Sequence, residues 1–172
     1  MTSQALIKEQ LAGCHDILEQ TIADCSPATL HKTLSGATIT SIASIYAHVV
    51  FTEDMIIQGM LQQKPPVYQS QGWGSRVSVA LPASPELKVD WAHGVKMDLP
   101  GFREYAKAVY AATDAYAGGL SDTALDRKVD TGFIGEQTVA FILTNIAAWH
   151  VSEHGGEIAA LKGVQGLKGL PF

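Results

Sequence analysis

The sequence predicts an all-α protein, a four-helix bundle with a long connection between its second and third helices. Three observations carry this expectation. Four stretches repeat apolar residues at spacings of three and four, strand-like alternation is scarce, and no period of twenty to fifty residues signals a repeat array. At 172 residues, against about 150 for a typical domain, residues 1–172 are expected to form a single domain.

Helix one is expected over residues 3–25, where Ile7, Leu11, Cys14, Leu18, Thr21 and Cys25 share a face and Ser26-Pro27 supplies a stop. Helix two is expected over 38–63, with Ile39, Ile42, Ile45, Tyr46, Val49, Glu53, Ile56 and Met60 in register before Lys64-Pro65-Pro66. From Pro65 to Asp98 the period fails. Pro65, Pro66, Pro82 and Pro85 mix with Gly72-Trp73-Gly74, and Val77 to Leu81 reads as a short extended piece. Such a connector is far longer than the two to eight residues usual between bundle helices, which makes it a lid, a dimer contact or a flexible segment. Asp98 and Pro100 then open helix three over 99–117, whose face of Phe102, Tyr105, Ala106, Val109, Ala112 and Tyr116 ends at Gly118-Gly119. Ser121 to Leu125 reads as a turn and Val129 to Phe133 as extended chain. Helix four, over 136–162, is the longest and most apolar.

Composition narrows the function classes. With 47% hydrophobic and 17% charged residues the chain is not disordered, and a weakly charged surface favours self-association, so a homodimer is expected. Twelve basic residues stand against seventeen acidic ones, a net charge of −5 without a Lys/Arg cluster, which argues against nucleic acid as a partner. The first ten residues lack a basic start and an apolar run, and the uncharged stretch from Thr138 to Ser152 is too short to span a bilayer. No membrane partner and a cytoplasmic location are therefore expected. Cys14 and Cys25, eleven positions apart on one expected helix, would lie about 16 Å apart along its axis, too far for a disulfide, and read as small core residues.

The chemistry concentrates on helix four. His150 and His154 are one turn apart, so their rings stand on one face and can meet a single cation. At about 100° per residue, His150 falls in the middle of the stripe formed by Val139, Leu143, Ile146 and Leu161, with His154 and Glu157 within about 40° of it. Two imidazoles and a carboxylate in a core are costly unless something satisfies them together. A catalytic metal takes about three protein ligands and keeps a position open, so the third must come from another helix. Of His15, His31, His48 and His93, His48 beside Ile45, Thr52 and Met55 is the choice on geometry, although as a flanking histidine it can equally be solvated.

The same residues admit other readings. His150-Val151-Ser152-Glu153-His154 also fits the H-x-x-E-H pattern of inverted zinc peptidases, but Glu153 is rotated about 60° from His150 on the wheel and little chain follows His154. Gly155-Gly156 marks either a helix end or a place where a neighbouring helix approaches closely. Asn145, Trp149, Tyr46, Glu53 and Thr52 are candidates for contacts around a site, each equally explicable as packing or surface. No glycine-rich phosphate loop or serine-nucleophile motif is present.

Together, Tyr46-Ala47-His48-Val49-Val50 in the second helix and His150-Val151-Ser152-Glu153-His154-Gly155-Gly156-Glu157-Ile158 in the fourth resemble the DinB/YfiT-like superfamily, whose H-x-x-x-H-x-G-[EQ]-I segment matches well. The resemblance spans nearly the whole chain in helix order, and its specific part lies in helices two and four. It implies a four-helix bundle, commonly homodimeric, in which three histidines hold a divalent metal, often nickel or zinc. Carried over by position, these are His48, His150 and His154. It also implies a range of activities, from thiol-dependent S-transferases using bacillithiol or mycothiol to a mycothiol-dependent maleylpyruvate isomerase.

The expected function is therefore a divalent-metal-dependent enzyme acting on a small-molecule substrate. It is either a thiol-dependent S-transferase or isomerase using a low-molecular-weight thiol, or a hydrolase with Glu157 or Glu153 as base. The competing expectation is a noncatalytic protein whose metal merely joins helices two and four, or whose histidines bind nothing.

Overall fold

The computed structural model describes residues 1–83 and 87–172; Pro85, counted above in the connector, lies outside them. The chain is mostly helical, with one two-stranded sheet among the described residues. Four long helical stretches dominate. The first, α1 (Ser3–Ile22), starts where Thr2 accepts a hydrogen bond from the Ala5 amide. It stops before residue 25 because Ser26 and Pro27 cap a separate short helix, α2 (Pro27–His31). The second stretch is α3 (Ile42–Asp54), capped by Ser41 and extended by a π-helical segment over Met55–Leu61.

The connector is packed rather than loose. It contains α4 (Val67–Ser70), a 3₁₀ turn at Trp73–Ser75 and α5 (Val89–Gly94). The buried carboxylate of Asp54 accepts from the amides of Val67 and Tyr68 at 2.7 and 2.9 Å and from the Tyr105 hydroxyl at 2.7 Å, tying α3, the connector and the third long helix together. Val77 to Leu81 forms no strand; Val79 is buried and its carbonyl accepts from Tyr68.

The third stretch, α6 (Leu99–Gly118), is capped by Asp98 as its sequence predicts. After α7 (Asp122–Leu125), where a plain turn was expected, β1 (Lys128–Asp130) pairs antiparallel with β2 (Glu136–Thr138), Val129 opposite Gln137. These paired residues are why the fourth stretch begins at 139 and not 136. It runs without a break through α8 (Val139–Phe141), a second π-helical segment (Ile142–Ala148) and α9 (Trp149–Gly163).

Every residue of α3 is buried, where the spacing predicted only a stripe, because α2, α5, α6 and α9 all pack on it. Its aromatic core joins Tyr46, Phe51, Phe102 and Tyr105, with ring centroids 5.4 to 5.6 Å apart. Both cysteines are free. Among the described residues no helix is long and apolar enough to cross a membrane.

Candidate metal centre

The centre is assembled from two helices that the chain brings together over a hundred residues apart. His48 projects from the middle of α3 and is 6% exposed, while His150 and His154 sit one turn apart near the start of α9. One ligand atom from each of the three lies within 4.8 Å of the others. The rings meet edge to face, with centroids 4.5 Å apart for His150 and His154, 4.9 Å for His48 and His150, and 5.0 Å for His48 and His154.

The outer nitrogens of His154 and His48 have partners. His154 Nδ1 donates to Glu157 Oε2 at 2.6 Å, which leaves Nε2 to face the cluster. His48 Nδ1 is 3.4 Å from Thr52 Oγ1, and His48 Nε2 meets His150 Nε2 at 3.0 Å. Burial pushes the His48 imidazole down to about 4 and the His150 imidazole down to about 3, with the neighbouring histidines adding to the effect. Both rings are therefore neutral near pH 7 and present lone pairs. Two neutral ring nitrogens 3.0 Å apart are satisfied either by one donating to the other or by a shared cation. The donor set is all imidazole, which suits borderline metals such as zinc or nickel better than magnesium or calcium. On donor chemistry and separation, the three residues fit a divalent ion.

His150 is half-buried and does not sit in the middle of the buried face, which runs through Val151, Gly155 and Ile158. The wheel drawn from Val139 slips because the chain turns less per residue through the π-helical segment at Ile142–Ala148. The slip moves His150 to the shoulder of the helix, where it borders an open cavity of about 900 Å³ shared with His48. Met55, Met60 and Ile146 line the cavity, Pro66 and Leu87 reach it from the connector, and Phe133 comes from the hairpin.

Several expectations need correction. Glu157 does not point into the core: its side chain is 45% exposed, at the rim beside His154. Glu153 is exposed, and neither acid is among the described residues lining the cavity, which removes the geometric basis of the inverted-peptidase reading. Gly155-Gly156 neither ends the helix, which continues to Gly163, nor admits a close neighbour, since a Cβ at either would meet nothing within 4 Å. Tyr46 donates to Glu19 at 2.6 Å, Trp149 is 59% exposed, and Asn145 donates to Thr144, so none of these touches the histidines. His31 accepts from the Met97 amide, a structural contact.

His15 and Glu53 were missed as a pair. They meet at 2.8 Å, both buried, with Thr113 donating to the same carboxylate at 2.6 Å and Tyr110 stacked on His15 at 3.9 Å. Phe133 was missed as well; Gly132 and Gly135, both left-handed, were the signal for its turn.

Fold and site thus define a mostly helical protein with a three-histidine cluster able to hold a metal ion. The DinB superfamily profile matches residues 7–158, and the chain belongs to that superfamily. A solved structure, described as a conserved protein from Enterococcus faecalis, has the same fold: TM-score 0.81 at 23% identity, over 96% of this chain and 99% of that one. No curated protein matches the sequence.

Proposed function

We propose that the protein is a divalent-metal-dependent enzyme for a small-molecule substrate, foremost a thiol-dependent S-transferase or isomerase, built as a single four-helix-bundle domain. The observation carrying this reading is the three-histidine cluster, two members of which, His48 and His150, border an open cavity of about 900 Å³. A trio of this kind holding a metal only to join helices would have no need of such a space.

His48, His150 and His154 would hold the ion, nickel or zinc by donor preference. When bound, a divalent cation supplies Lewis acidity that favours the thiolate of a thiol, or hydroxide from water, near neutral pH. The protein's residues do the rest. Glu157 fixes the tautomer and orientation of His154 through Nδ1, and Thr52 does the same for His48 at longer range. In the transferase reading, sulfur forms a bond to an electrophilic carbon while the leaving group takes that carbon's bonding pair and the thiol proton passes to solvent. In the hydrolase reading Glu157, at the rim, is better placed than Glu153 to accept a proton from water. We place the protein in the cytoplasm and read it as a homodimer, using apolar surface such as Leu6, Phe141 and Trp149.

The test is elemental analysis of untagged protein beside His48→Ala and His150→Ala variants, followed by a screen of low-molecular-weight thiols with 1-chloro-2,4-dinitrobenzene. One divalent ion per chain, lost in both variants together with thiol-dependent chloride release, is expected. Absence of metal after loading and dialysis would overturn the reading. A full metal complement that admits no thiol or anion would leave a noncatalytic metal protein.

A further inference from the structure

The cavity beside the histidines differs sharply in character from its metal-binding edge. Beyond the histidine edge, its wall is assembled from four separate parts of the chain: Met55 and Met60 from the first π-helical segment, Ile146 from the second, Pro66 and Leu87 from the connector, and Phe133 from the hairpin between β1 and β2. His48 and His150 are the only ionisable groups among the described residues lining it, and Thr52 and Thr131 add hydroxyls. Among the described residues lining it there is no lysine or arginine to receive an anion that left water for this space. At about 900 Å³, the cavity is near the upper end of the range that holds drug-sized ligands.

Phe133 is the unusual part of the wall. It is 65% exposed, yet the turn that carries it is tightly made. Thr131 Oγ1 donates to the Gly135 carbonyl and accepts from the Ile134 amide, both at 3.0 Å, while Gly132 and Gly135 take φ of 78° and 75°. A large ring held in water by a closed turn, at the mouth of an apolar cavity, presents contact area that the protein itself leaves uncovered.

We infer that the organic substrate of this centre is an uncharged molecule with an apolar body, seated against Met60, Ile146 and Phe133 with its reactive end toward His48 and His150, and that Phe133 sets its selection. The inference rests on the metal-dependent reading above. Methionines adapt to differently shaped apolar groups, so Met55 and Met60 accept a range of bodies, while the ring of Phe133 favours flat ones. Phe133 is a specificity residue and takes no part in the chemistry.

Full-length protein loaded with cobalt is titrated with imidazole, 4-phenylimidazole and 4-(imidazol-4-yl)benzoate, and the visible absorption of the cobalt is followed. These three probes share a donor nitrogen, and the carboxylate of the third is too far from that nitrogen to chelate the same ion. The expected result is that 4-phenylimidazole binds at least about tenfold more tightly than imidazole, and more tightly than the carboxylate. Phe133→Ala, at an exposed position outside the core, should weaken 4-phenylimidazole about fivefold and leave imidazole unchanged. Equal affinities, or a tighter carboxylate, would overturn the inference and leave the metal reading intact. Equal weakening of both neutral probes in Phe133→Ala would assign that residue to shaping the centre and overturn its role in selection. Failure to take up cobalt would overturn the metal reading itself, and the inference with it.

Discussion

Two buried histidines on different helices have different surroundings. His15 is satisfied within the protein: Glu53 Oε2 accepts a hydrogen bond from its Nε2 at 2.8 Å, Thr113 donates to the same carboxylate, and Tyr110 stacks on the ring. His48, five residues before Glu53 on α3, has no carboxylate on its ring among the described residues; its inner nitrogen faces His150 at 3.0 Å. Burial is nearly the same, 5% exposure for His15 and 6% for His48, so burial does not separate a structural histidine from a ligand. The company of other donors does. A carboxylate on one ring nitrogen, as Glu157 on His154, still leaves the other for a cation, but of the two only His48 has two further imidazoles within reach of one ion among the described residues.

The contrast can be broken most strongly from the structural side. Glu53→Ala strands His15 and Thr113 in the core and should lower unfolding stability by about 3 to 5 kcal/mol in urea titration, while the metal stoichiometry of the folded fraction stays at the wild-type value. Retained stability would mean that the pair is not structural. On the other side, metal at a hundredfold excess over its dissociation constant should raise stability by about 2.7 kcal/mol, read as a shift in thermal midpoint that His150→Ala abolishes. A shift of the same size in His150→Ala would place the ion elsewhere.

Acid sharpens the comparison. His48 and His150 lie at about 4 and about 3 in the folded chain against about 6.5 unfolded, so below pH 6.5 the unfolded chain binds more protons. Their neutral, buried state favours folding fully above that value, and this contribution is lost as pH falls through 4 and 3. Each histidine contributes a slope of up to about 1.4 kcal/mol per pH unit. Metal-free protein should therefore lose stability from pH 6.5 downward, and replacing both residues by Gln should flatten that limb of the curve; an unchanged slope would refute the assignment. The smallest effect is Gly156→Ala. This exposed helical position has open space at Cβ, and the change should stabilise by about 1 kcal/mol without altering metal content.

Much of the helical frame was legible because its signals are local. Thr2, Ser26, Ser41, Asp98 and Thr138 cap helices by hydrogen bonds spanning three residues, and a cap of that reach is written in adjacent positions. Ser26-Pro27 was read as a stop, yet it also starts a helix. The hairpin was half seen, as an extended Val129 to Phe133, since three-residue strands carry little pattern. The wheel argument put His150 in the wrong place because hydrophobic spacing does not announce the π-helical segment before it.

The sequence by itself determined four long helical stretches, the absence of a basic surface, and a His150 and His154 pair on one helix face, all consequences of neighbours within a turn or two. Naming His48 as their partner required the family resemblance as well. Only the tertiary structure decided that His48 comes within 3.0 Å of His150 and that His15 pairs with Glu53. It also decided that Phe133 stands at the mouth of the cavity. Those pairings join residues 38 to 102 positions apart, and separations of that size are set by how helices pack, which local spacing does not encode.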